Sequence, residues 1–184
     1  MDFEPVVRTL KSGHEIEIRY MRMDDVDDWL RIFSQSPEVE VESFNPESAK
    51  HFFKVRLADK INIDLVAIRN NKVIGYKGAS LYKARTLRHL SIAQGTFVDR
   101  KYRRSGVGEI LWKVLYEILR RKKIDCVWGA GPLKTNLPMR HFMKRIGVQV
   151  TGVLKGILAV DGRYLDLPIT LGRVTNAIVC EKNL

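Results

Sequence analysis

Cysteine is nearly absent from this chain of 184 residues, which has only Cys126 and Cys180. There is no CxxC and no pair of histidines at ligand spacing, so no metal site is expected. Two thiols in a chain of this size fit a reducing compartment, although a disulfide between them stays open. Long apolar runs are missing too. None approaches the roughly 20 residues that cross a bilayer, so no membrane contact is expected. The opening Met1-Asp2-Phe3-Glu4-Pro5 is acidic and lacks the apolar core of a secretory signal. These absences point to a cytoplasmic protein. Repeats, low-complexity tracts and Pro/Gly-rich linkers are also lacking, and 184 residues are too few for two ordinary domains. One domain over 1–184 is the expectation.

Acidic residues are scarce relative to basic ones, 21 against 32, giving a net charge of +11. Such a field attracts polyanions: nucleic acid, a ribosome, tRNA, an acidic protein surface or a phosphorylated cofactor. The solvated basic surface is the plainer reading. With 45% hydrophobic and 29% charged residues, the composition is that of a folded chain.

Alternation over 15–20 predicts a half-buried strand, and 23–33 predicts a helix. In that helix, acidic residues crowd the first turn and Val26, Trp29, Leu30 and Phe33 form the apolar stripe. Asn45-Pro46 is a cap-then-proline start for a second helix to about residue 60, with Ala49, Phe52, Phe53, Val55 and Leu57 as core positions. Two β-rich runs flank Asn70-Asn71 as a hairpin. A strand over 87–98 gives way to an amphipathic helix over 110–119, then a short strand over 123–128 and a short helix over 136–145. Two last strands, 152–160 and 164–171, join through Asp161-Gly162. The order β-α-α-β-β-β-α-β-α-β-β predicts an α/β (α+β) fold, a mostly antiparallel mixed sheet flanked by helices.

The chemistry is concentrated in Gly95-Thr96-Phe97-Val98-Asp99-Arg100-Lys101-Tyr102-Arg103-Arg104-Ser105-Gly106-Val107-Gly108. A strand enters a turn with two glycines that opens directly into a helix. Glycine lets the backbone turn tightly, and the unpaired N–H groups of the first helical turn favour phosphate or pyrophosphate. Arg103 and Arg104 are expected to add charge-assisted contacts to the same anion. The segment is neither a P-loop nor the three-glycine dinucleotide fingerprint.

Val98, Tyr102, Arg103, Gly106 and Gly108 resemble the signature of the GNAT superfamily, in which a strand-end valine precedes a Tyr-Arg pair and an Arg-x-x-Gly-x-Gly loop. The resemblance extends to Ile18-Arg19 with Asp24-Asp25, and to the spacing of Asn136, Phe142 and Gly147. The ending from Gly152 to Asp166 resembles the branch that acetylates ribosomal-protein N-termini and polyamines. The resemblance implies an acyl-CoA N-acyltransferase fold and transfer of an acetyl group from acetyl-CoA to a primary amine of a protein or small molecule. It assigns the pyrophosphate to main-chain N–H groups of Arg103, Arg104, Ser105, Gly106, Val107 and Gly108. It assigns the pantetheine arm and thioester carbonyl to the backbone at Phe97 and Val98, with Asn136 bonding the arm; Asn136 also reads as a helix cap.

An alkyl amine with a pKa of about 10 must lose a proton before it attacks. Many relatives place a tyrosine seven residues after the asparagine as the acid facing the sulfur; here Met143 stands there and donates nothing. His89 is the candidate base and also reads as a surface histidine. Glu40 and Glu42 are weaker candidates, and His141 is expected to be exposed. Glu38, Glu40, Glu42 and Glu47 form an acidic cluster that suits a cationic acceptor. Two other readings stand beside the enzyme: a fold-retaining acyl-CoA binder, and a nucleic-acid-associated member such as a toxin acetylating aminoacyl-tRNA.

Overall fold

The computed structural model describes residues 3–36, 44–132, 136–160 and 163–174, the side chains of 85, 158–160 and 163 apart. The strands are β1 (Val6–Thr9), β2 (Glu15–Tyr20), β3 (Asn62–Arg69), β4 (Lys72–Leu81), β5 (Leu90–Val98), β6 (Cys126–Ala130), β7 (Val148–Val160) and β8 (Arg163–Arg173). The helices are α1 (Val26–Phe33), α2 (Pro46–Ala58), α3 (Val107–Arg121) and α4 (Leu137–Arg145). The eight strands form one mixed sheet in the order β1-β2-β3-β4-β5-β6-β8-β7. The pairs β1/β2, β2/β3, β6/β8 and β7/β8 are antiparallel and β5/β6 is parallel. The expected α+β class is the observed one. The chain packs as two compact units, Met1–Ala79 with Gly95–Leu115, and Ser80–Gln94 with Tyr116–Leu184.

In the first unit, β4 packs against α1 and α2 and also against α3. Val73 and Tyr76 join a core built by α1 and α2: Val26, Trp29, Ile32, Phe33, Ala49 and Phe53. Trp29 stacks on Phe33 at 4.7 Å between centroids and meets Phe53 edge-on at 4.7 Å. Each such aromatic pair adds about 0.5–1.5 kcal/mol beyond its burial. Lys77 is fully buried, with its Nζ 4.1 Å from the centroid of Trp112 on α3. Beneath α2, Asp64 accepts from Arg56 Nε at 2.7 Å and from Tyr76 OH at 2.5 Å.

The second unit is organised by β8, which pairs with β6 on one side and β7 on the other. Thr170 Oγ1 donates to the carbonyl of Gly129 at 3.0 Å. Ile118, Leu119, Val127, Met143, Ile146 and Val148 are buried here.

Three expectations change. β1 was not expected; its four residues alternate too briefly to be seen, and register with β2 (Val6 opposite Ile18) secures it. Phe52 and Val55 were read as core, yet they are 39% and 62% exposed while Arg56 is buried. The Asp64 carboxylate draws the guanidinium inward and turns α2 about its axis. The last hairpin starts earlier than 152, at Val148. Its turn at Asp161-Gly162, the loop carrying Glu38, Glu40 and Glu42, and Cys180 lie outside the described residues. No described helix is long and apolar enough to cross a membrane.

Candidate cofactor site

The turn from β5 into α3 belongs to the first unit and is held from several directions. The Asp99 N–H donates to the carbonyl of Ile74 on β4 at 3.0 Å. By strand alternation the N–H and C=O of Val98 point the other way, away from β4. The Asp99 carboxylate accepts the Lys101 N–H at 3.0 Å and binds the Arg31 guanidinium of α1. Arg31 also donates to the carbonyl of Val73 at 2.9 Å and pairs with Asp28 at 3.0 Å. Burial pulls the Asp99 carboxyl upward, but the Lys101 N–H and the Arg31 guanidinium prevail and hold it below the usual carboxylate range.

Gln35, just past α1, fastens the same turn. Its side-chain oxygen accepts the Arg100 N–H at 2.8 Å, and its carbonyl accepts Arg103 Nη2 at 3.0 Å. Arg103 Nε donates to the carbonyl of Val98 at 3.1 Å. The Arg103 side chain therefore ties the turn to the protein, where the sequence reading had it reach for the anion. Ser105 Oγ donates to the carbonyl of Tyr102 at 2.6 Å.

With its frame fixed, the backbone of the turn takes an unusual course. Arg104 has φ +63° and Gly106 has φ +98°. Arg103 before them is extended (φ −63°, ψ 149°) and α3 begins at Val107, so the backbone between follows neither strand nor helix, a course of the kind that forms a nest of N–H groups. The N–H groups of Arg104, Gly106, Val107 and Gly108 donate to no group among the described residues. The positive end of α3, fifteen residues long, lies behind them. A Cβ added at Gly106 would meet only Lys11 Cγ, at 3.9 Å. The space above the nest is open, and a lysine from the β1–β2 turn stands at its rim. Lys11 and Gln35 escaped the sequence reading, because nothing local in either segment points 71 or 95 residues along the chain. The Asp99 cap was legible, as an aspartate two residues before an N–H that it accepts.

Of the other expected site residues, His89, Asn136, His141 and Met143 lie in the second unit, and Glu47, Phe97 and Val98 in the first. The ladder between β5 and β6 runs from Leu90 opposite Cys126 to Ile92 opposite Trp128 and stops. Ala93 and Gln94 on β5, and Gly129 and Ala130 on β6, are strand residues outside that ladder. The two strands are still close at this point: a Cβ added at Gly129 would lie 2.7 Å from the carbonyl oxygen of Ala93. Asn136 is the N-cap of α4, and its side-chain oxygen accepts the Met139 N–H at 3.0 Å. Met143 is buried on α4. His89 is exposed and precedes the first residue of β5, whereas Phe97 and Val98 are the last two. Its carbonyl accepts the Asp125 N–H at 2.9 Å. His141 and Glu47 are exposed. Tyr116 is a buried phenol of this unit, and burial pushes its pKa well above the usual phenol range, far from an acid useful near neutral pH.

Residues 24–148 match the family model described as the acetyltransferase (GNAT) family. No curated protein matches the chain by sequence. Among solved structures, the ribosomal-protein-alanine N-acetyltransferase of Brucella melitensis is 22% identical with a TM-score of 0.71, over 85% of this chain and 98% of that one. The ribosomal-protein-S18-alanine N-acetyltransferase of Escherichia coli is 12% identical with a TM-score of 0.70, over 86% and 94%. An acetyltransferase structure from Salmonella typhimurium, solved with its cofactor acetyl-CoA, is 17% identical with a TM-score of 0.72, over 86% and 94%.

Proposed function

We propose that this chain, which belongs to the acetyltransferase (GNAT) family, acetylates a primary amine, with the N-terminal α-amine of a protein as the favoured acceptor. The observation that carries the reading is the set of N–H groups of Arg104, Gly106, Val107 and Gly108 at the head of α3, which donate to no described group, whereas the expected Arg103 and Ser105 N–H groups bond the carbonyls of Arg100 and Tyr102, both at 3.4 Å. It fits a pyrophosphate: the donors converge, the helix end is positive, and the Arg103 and Gln35 bonds hold the donors in place before any ligand arrives. Lys11 adds a mobile cation at the rim.

Acetyl-CoA supplies the thioester that the amine attacks directly. The Val98 N–H, directed away from β4, is the donor placed to polarise that carbonyl. One good donor of this kind is worth roughly 3–4 kcal/mol of barrier. Asn136, which the resemblance assigns to the cofactor arm, also caps α4. A thiolate is a good leaving group, so Met143 in the acid position slows the reaction without forbidding it. The same scarcity of acid–base groups argues for the acceptor. An α-amine has a pKa near 8, against about 10.4 for a lysine, so about a hundred times more of it is neutral at pH 7. A site whose described residues offer no strong base suits the amine that needs least help. The two ribosomal-protein-alanine acetyltransferases among the similar structures support the same acceptor class.

The test is acetyl-CoA binding by calorimetry together with thiol release over an amine panel: N-terminal peptides, free lysine, a polyamine. Wild type should bind acetyl-CoA and release thiol fastest with a peptide α-amine. Gly106→Glu should bind at least about a hundredfold more weakly, since it puts a carboxylate where the pyrophosphate belongs. Binding without thiol release on any amine would replace the enzyme with a silent acyl-CoA binder. Activity confined to aminoacyl-tRNA would replace the acceptor.

A further inference from the structure

A cavity of about 450 Å³ opens beside the entry to the cofactor turn. Four cations line it, Arg31, Arg69, Lys72 and Lys101, against one carboxylate, Asp99. Arg31 and Asp99 bind each other, and Asp28 backs Arg31 from outside the lining. That leaves three cations facing one space. Arg69 rests its guanidinium 5.7 Å from the centroid of Tyr102, which also lines the cavity. Lys72 and Lys101 are exposed, and neither forms an ion pair among the described residues.

The fold fixes this convergence. Asn70 and Asn71 both have positive φ, +50° and +58°, as a tight two-residue hairpin turn requires. The turn sets Arg69 and Lys72 at the adjoining ends of two strands. Lys101 is placed by its own N–H on the Asp99 carboxylate, and Tyr102 by its N–H on the carbonyl of Asp99 at 2.8 Å. Among the described lining residues Asp99 is the one carboxylate set against these charges, and like charges in such excess repel one another. The arrangement is relieved when a ligand brings the missing negative charge.

We infer that this cavity is a second anion site that takes a phosphate monoester, separate from the nest at Arg104–Gly108. A dianion with three acceptor oxygens matches two ammonium groups and one guanidinium better than a single carboxylate does. The volume admits a ribose phosphate, and the Tyr102 ring provides a flat wall. Two sources carry this group: the 3′-phosphate of the cofactor's own adenosine, and inorganic phosphate or another small monoester. The first rests on the nest holding the pyrophosphate; the second does not.

Calorimetry with coenzyme A, 3′-dephospho-coenzyme A and inorganic phosphate tests this on wild type and on Lys72→Gln/Lys101→Gln. Both lysines are exposed, so the fold should persist, and a thermal melt checks it. With the cofactor as source, wild type prefers coenzyme A over the dephospho form by about tenfold or more. The double variant then loses that preference with its affinity for the dephospho form unchanged. With a separate phosphate as source, both cofactor forms bind equally, and phosphate binds the cofactor-saturated wild type at least about tenfold more tightly than the variant. Lys72→Arg/Lys101→Arg should restore either behaviour. Identical binding of all three ligands by wild type and the glutamine variant overturns the inference. Gly106→Glu separates the two readings. If it keeps full affinity for both cofactor forms, the nest assignment fails, while the phosphate titration still judges the cavity.

Discussion

The turn at 99–108 and the helix start at Asn136 are both caps on helices, yet they are built to different standards. Around the turn, side chains from α1, its C-terminal extension and β4 converge on one backbone: Arg31, Gln35, Asp99 and Arg103 together with the Ile74 carbonyl. At the start of α4, Asn136 accepts the Met139 N–H with its side chain and the Arg140 N–H with its carbonyl, and the position expected to hold an acid is an apolar methionine. The first region is rigid before a ligand arrives, so its contribution is affinity. The second supplies few polar groups, so chemistry there leans on the intrinsic reactivity of thioester and amine. On the proposed function, cofactor capture and catalysis are therefore unequally distributed over the described residues.

Matched glycine substitutions sharpen this contrast most. Gly106 and Gly147 both have positive φ, +98° and +78°, and neither would crowd a neighbour with an added Cβ. Alanine at either position costs about 1–2 kcal/mol of stability through backbone strain alone. Urea midpoints should fall alike. Acetyl-CoA affinity should fall about tenfold or more for Gly106→Ala, through misdirected N–H groups, and stay unchanged for Gly147→Ala. Equal affinities would dissolve the distinction between the two caps.

Asp99→Asn attacks the frame instead of the nest. Removing the carboxylate charge leaves Arg31 with a weaker partner and costs about 1.5–3 kcal/mol. The carboxyl titrates below its unfolded value, so its stabilisation is present above about pH 4 and is lost as pH falls through the depressed folded value. Acid unfolding of the variant should accordingly be shallower than that of wild type, while cofactor affinity drops severalfold as the turn loosens.

Lys77 tests whether the core of the same unit tolerates its own charge. Burial first, and then the Arg56 charge, lower its pKa from 10.5 to about 7, with Asp64 opposing. A lysine whose folded pKa is lowered binds fewer protons folded than unfolded, so stability rises with pH from about 7 to 10. Lys77→Met removes that slope. The variant should be more stable than wild type by about 1–2 kcal/mol at pH 6, with the gap closing towards pH 10. A constant gap would mean that the ammonium is satisfied in the core.

Sequence alone exposed the cofactor turn because its signal is local: strand, two glycines, basic pair and helix follow one another without a break. It exposed the Asn70-Asn71 hairpin for the same reason. What it missed came from tertiary forces. Arg56 enters the core because Asp64 lies 2.7 Å away across another element, and that pairing overrides the apolar claims of Phe52 and Val55. Arg103 folds back onto the protein surface because two carbonyls await it, one on β5 and one at Gln35. No periodicity encodes a partner 68 residues distant.

His89 draws the smallest expected effect, and the reason is its place on the strand. It precedes Leu90, and β5 runs nine residues to Val98, a rise of roughly 30 Å at about 3.3 Å per residue. An imidazole at one end of a strand cannot take a proton from an amine attacking a carbonyl held at the other. His89→Gln should therefore change kcat/KM for a peptide α-amine by less than about twofold, because one positioned acid–base group is worth about a hundredfold or more. The pH profile should instead follow the acceptor, rising through a pKa near 8 for an α-amine and near 10 for a lysine, in wild type and variant alike. Loss of a hundredfold, together with loss of a pKa near 6.5 from the profile, would make His89 the base and give the second unit a catalytic role it otherwise lacks.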